Sequence, residues 1–357
     1  MFNKTLISFV LFALVNFANA DEIKVNPDHP DNYVVVKGDT LWDISAKFLE
    51  NPWRWPEIWD VNPQIANPHL IYPGDVISLT YNDGMPVLNI NRGSMVNGRN
   101  VKLSPKIRMS EHDEAINTIP VDAIQQFLER PLVLDENEIK YWPYVVSSYD
   151  QRLISATGNK IYIRGLAEDT EDIEFSIYRM GKPYINPTDK SKQEILGYEA
   201  IYVGDAVLEK HGDPASAIIT SVDREVLNGD RLVVNSNDDI NSEFIPRPTA
   251  STVNGQILSV VDGVSQIGQY QIIVLNLGKE QGVEPGNVLG IYQAGKLVKD
   301  KIGPNIQKTL GEKTENVQLP EEYVGVAMIF RTFNKVSYAL VMETKGAIHI
   351  NDVVRSM

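Results

Sequence analysis

The chain has 357 residues, 43 % of them hydrophobic and 22 % charged, which excludes an intrinsically disordered protein and leaves room for about two to four modest domains. A formal net charge of −14 argues against nucleic acid and anionic lipid surfaces as partners. Cysteine is absent, so disulfides, a thiolate nucleophile and a lipid-anchored amino terminus are all excluded.

Residues 1–20 have the features of a secretory signal. Lys4 supplies the charged start, residues 6–17 are apolar apart from Ser8 and Asn16, and Ala18-Asn19-Ala20 offers small residues for cleavage after Ala20. The apolar run is shorter than the about 20 residues a spanning helix needs. No later segment is apolar enough either, so the expectation is an exported, periplasmic chain with no integral membrane segment. Residues 21–32, with Pro27 and Pro30, read as a tether.

Residues 33–79 carry the densest local signals. Val34 and Val36 alternate with Val35 and Lys37 as a half-buried strand does. Gly38-Asp39 opens a turn, and Thr40 with Asp43 three residues on gives capping spacing for a helix. Leu41, Ile44 and Phe48 recur on one helical face, with Trp42, Ala46 and Leu49 beside them. Asn51-Pro52 stops that helix. Trp55, Ile58 and Trp59 mark a second short helix starting near Pro56. Pro68, Pro73 and Gly74 shape a return loop, and Val76, Ile77 and Leu79 make a closing strand.

Three blocks in this order, Gly38-Asp39-Thr40-Leu41-Trp42, Asn62-Pro63 and Leu70-Ile71-Tyr72-Pro73-Gly74-Asp75, resemble the LysM domain. That family is a small β-α-α-β module that binds N-acetylglucosamine polymers such as peptidoglycan and chitin. The resemblance implies a shallow groove between the first turn and the loop before the last strand. Carried over by position, Gly38, Asp39, Thr40 and Leu41 line one side, and Asn67, Pro68, His69, Leu70 and Ile71 the other. The chemistry is sensible: an acetamido group needs one donor, one acceptor and a small apolar wall. Backbone groups of two turns supply the first two, and Leu41 or Ile71 the wall. A few hydrogen bonds worth about 1 kcal/mol each leave weak binding after the cost of association, so avidity along a polymer must add to it. The stretch from Asn51 to Trp59 is richer in Trp and Pro than the family pattern. Two readings of Trp53 and Trp55 stay open: core filling, or an extended sugar platform. His69 reads as a loop residue beside the ligand rather than a metal ligand.

Residues 80–143 read as a linker with some β structure, Val87-Leu88-Asn89-Ile90 and Val101-Lys102-Leu103 being possible strands. It includes a helix over residues 119–129, where Pro120 suits the first turn and Ile124, Phe127 and Leu128 share a face. So short a helix must dock on something. From residue 144 onward strands alternate with Gly/Asp/Asn turns, with a weak internal repeat. Ile177-Tyr178-Arg179-Met180-Gly181-Lys182 matches Ile291-Tyr292-Gln293-Ala294-Gly295-Lys296, and residues 217–230 match 339–352 in rhythm. Gly197-Tyr198-Glu199-Ala200 is set against Val324-Gly325-Val326-Ala327. Two small mainly-β domains of barrel or sandwich type follow, over residues 144–248 and 249–357. Residues 304–320 read as a polar, mobile insertion in the second. The fold class expected is α+β.

No catalytic constellation emerges. The five histidines are dispersed without metal-ligand spacing, and no Gly-x-Ser-x-Gly elbow occurs. Residues 168–174 look like a solvated acidic turn rather than an acid/base pair. The expectation is therefore a non-catalytic peptidoglycan-binding protein with no cofactor and no metal, whose β domains meet a protein partner. A structural adaptor of an envelope assembly, with the module working through protein contacts, is the first alternative. A wall hydrolase with an unrecognised site is the second.

Overall fold

The computed structural model describes residues 23–59, 71–82, 84–91, 115–120, 123–124, 133–134, 136–150, 154–167, 170–171, 173–188, 194–235, 244–261, 267–300 and 315–357. The expected signal segment, the strand at 101–103 and most of the helix over 119–129 lie outside them. The fold is α+β and mostly β: a helical module at the amino end, then two six-stranded rings.

In the module, β1 (Asn32–Val34) pairs antiparallel with β2 (Val76–Asn82), and β2 with β3 (Met85–Asn91). The Val87–Ile90 strand expected in a linker is therefore the third strand of the module's own sheet. Helix α1 (Leu41–Phe48) starts on Thr40, whose side chain accepts from the Asp43 N–H while Asp43 receives the Thr40 N–H, a closed capping box. A 3-10 turn (Pro52–Arg54) leads into α2 (Trp55–Trp59). Leu41, Ile44, Phe48, Trp55, Ile58 and Ile77 meet in the module's core.

The first ring holds β5 (Tyr144–Ser148), β6 (Lys160–Arg164), β7 (Glu174–Ile185), β8 (Ile195–Lys210), β9 (Ala215–Val222) and β10 (Arg231–Val234). Pairing β8 with β9 closes the order β5-β6-β9-β8-β7-β10. Short β4 (Val133–Leu134) adds to β8. The second ring holds β11 (Asn254–Val260), β12 (Ile272–Leu275), β13 (Val288–Gln293), β16 (Glu322–Thr332), β17 (Ser337–Thr344) and β18 (Val353–Ser356), closed as β11-β12-β17-β16-β13-β18. Substituting strand for strand, the two orders are the same. Where β7 runs on into β8, the second ring inserts a paired arm, β14 (Leu297–Asp300) with β15 (Glu315–Gln318). The end of the polar insertion expected at 304–320 is thus an ordered strand, and residues 304–314 fall outside the described set.

The repeat extends to single atoms. The Asp223 N–H donates to Val203 O (2.9 Å), as Lys345 N–H does to Val324 O (2.7 Å). Leu227 N–H donates to Asp230 Oδ2, as His349 N–H does to Asp352 Oδ2. The Tyr178–Tyr202 and Tyr292–Tyr323 rings each stand 5.7 Å apart, edge to face. A Cβ on Gly204 would come within 2.2 Å of Ser221 O, and one on Gly325 within 2.3 Å of Glu343 O, so the same strand approach demands glycine in both. This corrects one sequence pairing: Tyr202-Val203-Gly204-Asp205-Ala206, not the segment at Gly197, answers Tyr323-Val324-Gly325-Val326-Ala327.

The second ring is also the hub of the molecule. Strands β12, β16 and β17 are buried on both faces. Ile273, Leu275, Ile329 and Val341 point into the ring, while Val274, Val326, Met328, Leu340 and Met342 point out. Against that outer wall pack Trp42 of α1, Trp53, Ile119, Ile124, Phe244 and Tyr184 from the long β7–β8 hairpin. Ile124 shows where the expected short helix docks: Ala123 and Ile124 are helical, and Ile124 is fully buried on this wall. At roughly 25 cal/mol per Å² of apolar surface, large side chains such as these dominate the attachment of module to ring.

Candidate glycan-binding site

The first turn of the expected groove lies beside the Tyr72–Asp75 turn, which follows Ile71, the one described residue of the second expected wall. In the first, Asp39 Oδ2 accepts the Val36 N–H (2.9 Å) and the Tyr33 hydroxyl (2.9 Å). Burial, then the Asp39 bond, pushes the Tyr33 phenol up to about 12. In the second, Asp75 Oδ2 accepts the Tyr72 N–H (3.1 Å) and the Asp75 N–H returns to Tyr72 O (3.0 Å). Two backbone bonds join the turns: Val35 N–H to Asp75 O (2.9 Å) and Gly74 N–H to Val35 O (2.8 Å). Gly38 and Gly74 sit at φ +98° and +95°, conformations that need glycine.

The expected site residues are placed as follows. Gly38 is exposed and Asp39 half-buried at the tip of the first turn. Thr40 is buried, its hydroxyl donating to Asp43 Oδ2 (2.7 Å), and Leu41 and Ile71 are fully buried in the module core. Asn67, Pro68, His69 and Leu70 lie outside the described residues. Trp55 belongs to the module core, and Trp53 packs on the outer wall of the second ring.

Three features were not read from the sequence. Trp42, taken only as part of an apolar stripe, seats α1 on the second ring. Tyr270 donates its hydroxyl to Asp43 Oδ1 (2.9 Å), so the carboxylate that caps α1 also ties it to that ring. Burial, reinforced by Asp43, raises the Tyr270 phenol to about 12. Third, residues 116–118 bond to one described residue of each expected wall, Leu41 and Ile71, and to Trp42. Leu41 N–H donates to Asn117 O (2.9 Å), Trp42 N–H to Thr118 O (3.1 Å), and Ile116 N–H to Ile71 O (2.9 Å). Ile116 is buried in the module core and Ile119 in the outer wall of the ring.

Behind α1, an open cleft of about 680 Å³ separates module and ring, lined by Lys24, Asp43, Glu50, Tyr323, Glu343 and Lys345. Among the described residues no group of three or more His, Asp or Glu side chains could hold a metal ion. No described helix is long and apolar enough to cross a membrane.

Paired turns, two helices and a three-stranded sheet make this a small βααβ module with one strand added. Residues 33–80 match the LysM domain model, and the segment is a LysM domain. An uncharacterized protein YqbP of Bacillus subtilis (strain 168) is 38 % identical over 60 residues, which cover 14 % of this chain and 27 % of that protein. The chain thus spans about a quarter of that relative's length. LysM is a binding domain, not a catalytic one, and its ligands are peptidoglycan and related N-acetylglucosamine glycans.

Proposed function

We propose that this chain is an exported, non-catalytic protein that holds peptidoglycan through its LysM domain and meets a protein partner through its two β rings. The observation that carries this reading is the pair of turns joined through Val35, inside the segment that matches the LysM model. The residues assigned to the glycan in this reading are Gly38, Asp39, Thr40 and Leu41 on one side and Asn67, Pro68, His69, Leu70 and Ile71 on the other, Leu41 and Ile71 through their backbone groups. The carboxyl-terminal half supplies a rigid mount, since α1 is fixed to the second ring by Trp42 and by the Tyr270–Asp43 bond.

The full chain should sediment with purified peptidoglycan sacculi. His69→Ala should reduce retention by about fivefold, the worth of roughly one hydrogen bond, without changing the melting temperature. Loss from sacculi at low salt of both the full chain and Ile116→Pro, which breaks the bond to Ile71, would sink the reading. It would favour the adaptor alternative, which draws on a specific observation: backbone groups beside the groove are already bonded to residues 116–118.

A further inference from the structure

The strap of residues 115–119 resembles a ligand more than a linker. An acetamido group offers a carbonyl acceptor, an N–H donor and a small apolar methyl. The strap offers the same set to Leu41, Trp42 and Ile71. The carbonyls of Asn117 and Thr118 accept from Leu41 and Trp42, the first amides of α1, which have no partner within their own helix. The Ile116 N–H donates to the Ile71 carbonyl on the opposite side, and the Ile116 side chain enters the module core beside Leu41 and Ile71. Peptide units thus bond a described residue of each expected wall, Leu41 on one side and Ile71 on the other.

We propose that this strap is a built-in competitor of the glycan: the LysM groove is self-occupied, and an N-acetylglucosamine chain engages it fully only when residues 115–119 withdraw. The inference rests on the glycan-binding reading. Physically it follows from exclusion, because Asn117 O and a sugar carbonyl would be rival acceptors for the same Leu41 N–H and need the same space. The strap is anchored at two ends on two bodies, Ile116 in the module and Ile119 in the ring wall. Whatever loosens module from ring therefore also loosens the strap, and binding becomes coupled to docking. An occupied groove lowers apparent affinity by the fraction of molecules with the strap out.

The test uses the full chain and a soluble N-acetylglucosamine oligomer, with affinity measured by calorimetry. Ile116→Pro removes the donor to Ile71 and should tighten binding on the order of tenfold. Because that variant can misfold, a second one, Ile71→Cys/Ile116→Cys, is compared with itself in oxidised and reduced form. The chain has no other cysteine, so a closed disulfide locks the strap in place. The oxidised form should bind about tenfold more weakly or not at all, with binding restored on reduction. The proposal is overturned if wild type binds the oligomer and oxidised and reduced forms bind equally. It is also overturned if the pair never closes under oxidant, since the strap is then not beside Ile71. If no form binds the oligomer or sacculi, the glycan-binding reading itself is removed.

Discussion

At one place on the ring, β8 carries Asp205 and β16 carries Val326, each facing outward. Asp205 stands opposite Ser176 and Ser221 and accepts from both hydroxyls at 2.8 Å, and from Tyr202. Val326 stands opposite Gly290 and Glu343 in the same register and is 1 % exposed, buried against Met328 and Leu340. Inward, the two rings use the same kind of residue: Phe175, Ile177 and Val203 in one, Leu289, Ile291 and Val324 in the other. One scaffold has thus become a ring with a polar outer row at this place and a hub with an apolar one. Outward residues made the difference.

The turn before the second strand of each ring shows the same divergence. Gly158 sits at φ +82° and its N–H bonds Ile219 O, and Tyr270 sits at φ +63° and bonds Val341 O. A non-glycine residue there costs on the order of 1 kcal/mol or more. The second ring bears that strain at the residue that grips Asp43.

Exchanging the outward residues is the strongest way to break this comparison. Val326→Asp places an unpaired carboxylate in a buried apolar wall and should cost about 4 kcal/mol or more. The reverse change, Asp205→Val, leaves the Ser176 hydroxyl without that acceptor and should cost about 1–2 kcal/mol. Urea unfolding of both variants checks this, and equal costs would refute the contrast. A middle-sized effect is expected at the last turn of each ring. Asp230 accepts two bonds from Arg179, both at 2.9 Å, besides the Leu227 N–H, whereas Asp352 accepts the Ala294 and His349 N–H groups. Asp230→Ala should cost about 2–3 kcal/mol and Asp352→Ala about 1–2, by the same measurement.

The smallest change sharpens the role of Tyr270. Tyr270→Phe should cost about 1 kcal/mol at neutral pH by removing one hydrogen bond. The folded phenol titrates near 12 against an ordinary 10.0. Its contribution is therefore complete below pH 10 and lost as pH rises through about 12. Stability measured across that window should fall less steeply in the Phe variant than in wild type.

Local chemistry made the module legible. Its turns, cap and helices lie within 33–79, each specified by neighbours a few residues apart, while the sheet runs on to a third strand ending at Asn91. The site was legible only in part: the two turns follow from Gly38-Asp39 and Pro73-Gly74, but the strap pairs Ile116 with Ile71 across the chain, and no short-range pattern encodes that. The hub left a trace that went unused. The runs Ile272–Leu275, Val326–Phe330 and Tyr338–Met342 are apolar without alternation, which is how strands covered on both faces read. The repeat was misregistered at one block because Gly197 was chosen over Gly204, although Tyr202-Val203-Gly204 repeats Tyr323-Val324-Gly325 residue for residue.

Fastening the module at Trp42, at Asp43 and through the strap has a mechanical consequence. A pull on the amino-terminal domain reaches the second ring along three parallel paths: the Trp42 contact, the Tyr270–Asp43 bond, and the strap, which three backbone bonds tie to the module and Ile119 to the ring. Traction on the module and the position of one short peptide are thereby coupled.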